Sequence, residues 1–130
     1  MGKPAAKQGD RITAFDTHII QPPPTSTPVP VPGHAFSGII NGSLSTNVNI
    51  SGMAAAVVGS TATNTPPHIP MGGSFVNPPT NRGKIVSGSA TVFINKKPAA
   101  RTGDKAQTCN DPVPLPVGTV VASGNVLIGG

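Results

Sequence analysis

Lys97-Pro98-Ala99-Ala100-Arg101-Thr102-Gly103-Asp104 (KPAARTGD, 97–104) nearly repeats Lys3-Pro4-Ala5-Ala6-Lys7-Gln8-Gly9-Asp10 (KPAAKQGD, 3–10). A third, degenerate copy lies between them. AAAVVGS at 54–60 aligns with PAAKQGD at 4–10 and PAARTGD at 98–104. Internal repeats decide architecture before any single element does, so the rest of the chain is read against these three.

Each copy is followed by a Pro-rich stretch: QPPPTSTPVPVP at 21–32, TPPHIP at 65–70 with NPP at 77–79, and DPVPLP at 111–116. Each stretch leads into two short β-branched runs broken by Gly, Ser or Asn. These are GIINGS (38–43) with NVNI (47–50), GKIVSGS (83–89) with TVFIN (91–95), and GTVVASG (118–124) with NVLI (125–128). Paired runs of this kind read as hairpins. The expected unit is turn, Pro-rich loop, hairpin, three times over. A lone hairpin is marginal in water, so the three must share one core. The expected fold is all-β: a small conical pseudo-threefold assembly of β-hairpins, one domain over residues 1–130.

Composition agrees. Gly and Pro number 16 each in 130 residues, and Trp and Tyr are absent. Long helices do not survive that density of breakers, and an aromatic core is excluded. The net charge of +5 comes from nine Lys and Arg against four Asp. The cations are scattered and no aromatic residues interleave with them, so the stacking platform of a nucleic-acid binder is missing. The opening MGKPAAKQGD has no apolar signal segment, and the expectation is synthesis in the cytoplasm.

Three His and one Cys carry the chemistry. His18 stands eight residues after Asp10, His68 eight after Ser60, and Cys109 five after Asp104. His34 precedes the first paired run. No CxxC or HxxxH pair exists, and the gaps of 16, 34 and 41 residues fit no zinc finger. Threefold packing, however, brings equivalent loops together, and four N/S donors make a closed tetrahedral zinc site near the vertex. The competing reading leaves the histidines exposed on loops and Cys109 a small buried thiol. Asp10 and Asp104 read as turn residues that cap backbone N–H groups, with Gly9, Gly59 and Gly103 at positive φ. A hydrolytic zinc keeps an open position and a nearby base. Four protein ligands and the absence of Glu argue against that reading.

The Pro98-Ala99-Ala100-Arg101 tetrapeptide and its near copy Pro4-Ala5-Ala6-Lys7 resemble the PAAR-repeat family. With the Gly-Asp pairs, three His and one Cys, the resemblance covers essentially the whole chain. It implies a pointed, non-enzymatic β-structure that caps the spike of a contractile injection machine, such as a type VI secretion system, an extracellular particle or a phage tail. The partner implied is a trimeric VgrG-like β-helical spike, bound by one copy of the chain. The implied cofactor is a structural zinc held by His18, His34, His68 and Cys109. The hairpin end would dock, around Ile39, Ile40, Ile85, Val86, Val120 and Val121. A role as effector adaptor is compatible, as is brief contact with a target membrane. A bare tip without a fused effector is expected, leaving the cell when the machine fires.

Overall fold

A computed structural model describes residues 2–23 and 27–129. Part of the Pro-rich 21–32 stretch, Pro24 to Ser26, therefore lies outside the described residues. The first repeat holds β1 (Lys3–Pro4), β2 (Arg11–Gln21), β3 (Val29–Gly42) and β4 (Asn49–Ile50). The second holds β5 (Met53–Ala54), β6 (Thr61–Asn64), β7 (Ser74–Phe75), β8 (Arg82–Ile85) and β9 (Phe93–Ile94). The third holds β10 (Lys97–Pro98), β11 (Lys105–Thr108), β12 (Leu115–Val121) and β13 (Leu127–Ile128). There is no helix among the described residues.

Six strands close on themselves in the order β2-β3-β6-β8-β11-β12, with β12 pairing back onto β2. Every neighbouring pair is antiparallel. Each repeat contributes two barrel strands, and closure leaves no free barrel edge. Strands β2 and β3 outrun the others and pair as far as Ile20 with Val29. The short β7 pairs with the far end of β2.

The expected pairing is different in all three repeats. The runs at 83–89 and 118–124 do not pair with 91–95 and 125–128: β8 pairs with β6 and β11, and β12 with β11 and β2, while β9 pairs with β10 and β13 with β1. The run at 38–43 does not pair with 47–50. Residues 38–42 belong to β3, flanked by β2 and β6, while Asn49 and Ile50 pair with Ala54 and Met53. Side-chain alternation explains the choice. Ile40 points into the barrel and needs a strand on each side to bury it completely. The tight hairpins fall instead at Ser51-Gly52 and Asn95-Lys96, where all four residues have positive φ, as a two-residue type I′ turn requires. The third such ribbon joins the two ends of the chain: Lys3 pairs with Ile128 and Pro4 with Leu127.

The PAA turns form a ring at one end of the barrel. Ala6 N–H donates to Ala100 C=O at 2.9 Å, Ala100 to Ala56 at 3.1 Å, and Ala56 to Ala6 at 3.0 Å. The three alanines are wholly buried, and only a methyl group fits where three backbones meet on the axis. Gly9, Gly59 and Gly103 have φ of 94°, 100° and 87°. Their amides donate to Ile40, Ile85 and Val120 respectively. Asp10 Oδ2 accepts from Lys7 N at 3.0 Å, and Asp104 Oδ2 from Arg101 N at 2.7 Å. Ser60 Oγ does the same for Val57 N at 3.0 Å, so the degenerate copy keeps the cap with a hydroxyl. The basic residue pairs with the same carboxylate: Lys7 with Asp10 at 3.1 Å, Arg101 with Asp104 at 2.9 Å.

Above the ring lies a layer of Ile40, Ile85 and Val120, with Ile12, Ala62 and Ala106 beside it. Phe36 fills the axis beyond. A Cβ on Gly38 would meet the Phe36 ring at 2.7 Å, and one on Gly83 at 3.2 Å. The glycines on equivalent strands make room for a single aromatic ring. Below the alanine ring, Ile50, Ile94 and Ile128 close a second cluster with Ala5, Ala55, Val57 and Ala99.

Ile40, Ile85 and Val120 are thus core residues and offer no docking surface, whereas Val86 and Val121 are exposed on the barrel wall and Ile39 is half-buried. Val120→Asp is expected to abolish folding, because it buries an unpaired charge. Phe36→Ala should cost about 3–5 kcal/mol through the cavity it leaves. Denaturant unfolding checks both.

Candidate metal centre

Strand β2 runs away from the alanine ring and carries Asp16 and His18 toward the opposite end of the barrel. At about 3.3 Å per residue, His18 stands roughly 23 Å along the strand from Arg11. Asp16 pairs with His34 of β3, and a bulge between Asp16 and His18 shifts the register. A bulge re-aims side chains next to a site, and here both Asp16 and His18 face inward, fully buried. His68 arrives from the segment between β6 and β7, and Cys109 directly follows β11. His18 and His34 therefore come from strands, not from the loops expected of them.

All three imidazoles meet at the axis. Ring centroids of His18 and His34 lie 5.2 Å apart, His18 and His68 4.9 Å, His34 and His68 5.8 Å. Cys109 Sγ lies 3.8 Å from His18 Nε2. The sequence reading missed Asp16. Its Oδ2 accepts from His68 Nε2 at 2.8 Å and lies 3.6 Å from Cys109 Sγ. Its Oδ1 accepts from the Thr108 hydroxyl and, at 3.3 Å, from Asn110 Nδ2. One ligand atom each from Asp16, His18, His68 and Cys109 lies within 4.8 Å of all the others. His34 is beside this foursome and outside it.

These residues fit a metal. Nitrogen, sulfur and carboxylate oxygen are the donors that zinc takes. His34 Nδ1 lies 3.1 Å from the Val31 carbonyl, and its buried Nε2 has no hydrogen-bond partner among the described residues. His18 Nδ1 is also without a hydrogen bond, 3.4 Å from the Asp111 carboxylate. Outer partners of this kind set the ring orientation of ligating histidines. Asp111 is itself held by the Ile19 amide at 2.8 Å.

Burial lowers the His18 pKa, helped by His68 and opposed by Asp111. His18 is thereby favoured in its neutral, ligating form. Burial, reinforced by Asp16, pushes the Cys109 thiol up to about 11. An ion bound here must displace that proton. The buried Asp16, His18, His68 and Cys109 group could hold a metal ion.

Two shallow clefts flank the cluster. One, of about 410 Å³, is lined by His34, Asn64, His68, Ile69 and Met71. The other, of about 170 Å³, is lined by His18, Pro79, Cys109 and Asp111.

A sequence model of the family described as PAAR motif matches residues 32–113 and 77–130. A comparison with curated proteins returns no match.

Chelation is expected to lower the melting temperature, because the cluster ties together strands that otherwise meet through a small core. Cys109→Ser should lose metal and reproduce that drop. Elemental analysis beside a thermal melt checks it. A melt indifferent to both treatments would contradict a structural ion.

Proposed function

The chain belongs to the PAAR-motif family, structural spike-tip proteins of secretion systems that associate with spike proteins, and we propose that it caps a trimeric VgrG-like β-helical spike of a contractile injection system. In this reading the tip sharpens the spike for penetration of a target envelope and performs no catalysis. The protein is made in the cytoplasm and leaves with the particle on firing.

The observation that carries the reading is the cyclic ring of Ala6, Ala56 and Ala100. A single chain that repeats itself about an axis can present three similar surfaces to three identical subunits. The end with the short ribbons suits that contact. Ile50, Ile94 and Ile128 plug it. Around them Phe93 and Leu127, at equivalent positions of two ribbons, are 57 % and 59 % exposed, with Val92, Val126 and Met53 beside them. Asn49 holds the equivalent position of the remaining ribbon. On this reading docking uses the ribbon ends rather than the barrel strands. The metal lies at the far end, where it stiffens the point.

The ion proposed is zinc, with His18, His34, His68 and the Cys109 thiolate as its nitrogen and sulfur donors. It would cross-link β2, β3, the segment after β6 and the end of β11. Its role would be structural, a staple for a core built of Ala, Ile and Val.

Co-expression with a trimeric spike should yield a complex of one chain per trimer by native mass measurement; a 3:3 ratio would contradict the proposed use of the internal symmetry. Leu127→Asp should weaken docking by at least about 2 kcal/mol through an unpaired charge buried at the interface, while metal content stays at one zinc per chain. Docking unchanged in that variant would place the interface elsewhere.

A further inference from the structure

Ile40, Ile85 and Val120 accept from the three left-handed glycines and so hold equivalent places on β3, β8 and β12. Counting back from them gives the equivalent residues of the outer wall. One residue back stand Ile39, Lys84 and Thr119, and three back stand Ser37, Arg82 and Val117. Only the second repeat carries cations at these positions, and both are exposed. A feature built once cannot be matched by three identical subunits at the same time. It breaks the threefold pattern on the surface, where no packing demand explains it.

The neighbouring strands make a cleft of this place. Lys84 lies opposite Thr61 of β6 on one side and Gln107 of β11 on the other. Thr61, Arg82, Lys84 and Gln107, with Thr80 and Pro114, line a hollow of about 230 Å³. No acid of the chain answers its two cations. Glu is absent, and the four Asp are engaged elsewhere: Asp10 with Lys7, Asp104 with Arg101, Asp16 with His68, and Asp111 beside His18. The positive charge of the cleft is therefore unpaired among the described residues.

We propose that this cleft docks an acidic, extended segment of a partner protein, one copy per chain. Charge complementarity names the chemistry. At about 3.3 Å per residue, Arg82 and Lys84 stand roughly 6.6 Å apart along β8, the spacing of carboxylates on alternate residues of an extended chain. Arg82 can grip one carboxylate through two N–H groups and Lys84 meets the next as a point charge, with Thr61 and Gln107 offering hydrogen bonds at the side. β8 is paired on both edges, so the segment adds no strand and is read by side chains alone. None of the four Phe lies on β6, β8 or β11, so the stacking surface that a nucleic acid needs is missing. The inference stands apart from the spike reading, and failure of the spike complex would leave its test unaffected.

The test titrates the full chain with a short peptide of alternating Glu and Ser, followed by amide NMR shifts. The expected result is saturable binding that weakens with salt, with the shifts centred on Thr61, Lys84 and Gln107. Reversing both cations, Arg82→Glu with Lys84→Glu, should lower the affinity by at least about 10-fold. Lys3→Glu with Lys97→Glu changes the net charge by the same amount on another part of the surface and should leave the affinity within about twofold. All four side chains are exposed, so thermal melts of both variants should match the wild type. If charge reversal at the cleft unfolds the chain, Arg82→Gln with Lys84→Gln carries the same comparison. A wild-type chain that ignores the peptide overturns the proposal, and so does an equal loss in the two reversed variants, which is a net-charge effect. Phosphatidylserine vesicles that hold the wild type through Arg82 and Lys84 while the peptide does not bind overturn it too, because the partner is then a lipid surface.

Discussion

Ala6 donates its amide to Ala100, Ala100 to Ala56, and Ala56 back to Ala6, so that three segments far apart in sequence close one ring of hydrogen bonds. Nothing larger than a methyl group fits at that meeting point. From this constraint the motif follows residue by residue. The alanines let the backbones approach. The left-handed glycine turns each chain back so that its amide reaches the next core strand. The Asp or Ser after it caps the amide that the turn would otherwise strand. The basic residue then neutralises the cap where the cap is charged. Val57 replaces that residue where the cap is Ser60, so cation and carboxylate are lost together and no buried charge is left over.

The ring fixes where the barrel begins, and the strands carry its symmetry upward until Phe36 breaks it. One ring on the axis replaces three aliphatic side chains, and past it the layers turn polar: Asn64, Thr108, Asp16 and Asn110 are all buried. A polar interior of this kind is stable only when every member is satisfied. Backbone donors do much of that work. Ser37 N–H holds Asn64, Thr17 N–H holds Asn110 and His68 N–H holds Asn81. The side chains around the cluster are therefore oriented by the strands and their connections before any ion arrives.

How much of this could be read from the sequence depends on which residues repeat. The turns, the β-branched runs and the threefold arrangement repeat, and they were legible. Strand pairing was not, because a run such as GIING looks the same whether it faces its successor or two strands from elsewhere. Only the burial of Ile40 on both sides decides between them. Asp16 and Phe36 were hidden for the opposite reason. The residues in the equivalent places are Pro66 and Asn110 for Asp16, and Asn81 and Pro116 for Phe36. A residue that departs from the repeat carries no signal in an argument built on repeats, yet these two occupy the axis itself. The cysteine and histidines were legible by chemistry alone, being too few and too donor-rich to overlook. The placement of His18 and His34 on strands rather than loops came from the length of β2 and β3, which the prolines at 22–24, 28, 30 and 32 disguised as one long loop.

The joining of β1 to β13 and of β2 to β12 has a consequence in time. The barrel closes only by pairing β2 with β12, about a hundred residues apart, and such distant pairing must meet its loop-closure cost before any contact rewards it. On the ribosome β1 and β2 cannot close the structure until the segment holding β12 and β13 has emerged. Closure therefore waits on β12 and β13, and the product that lacks them is an open sheet with a bare edge. Once shut, the same topology pairs β1 with β13, so neither strand hangs loose as a place from which a pulling or shearing force could begin to unravel the barrel.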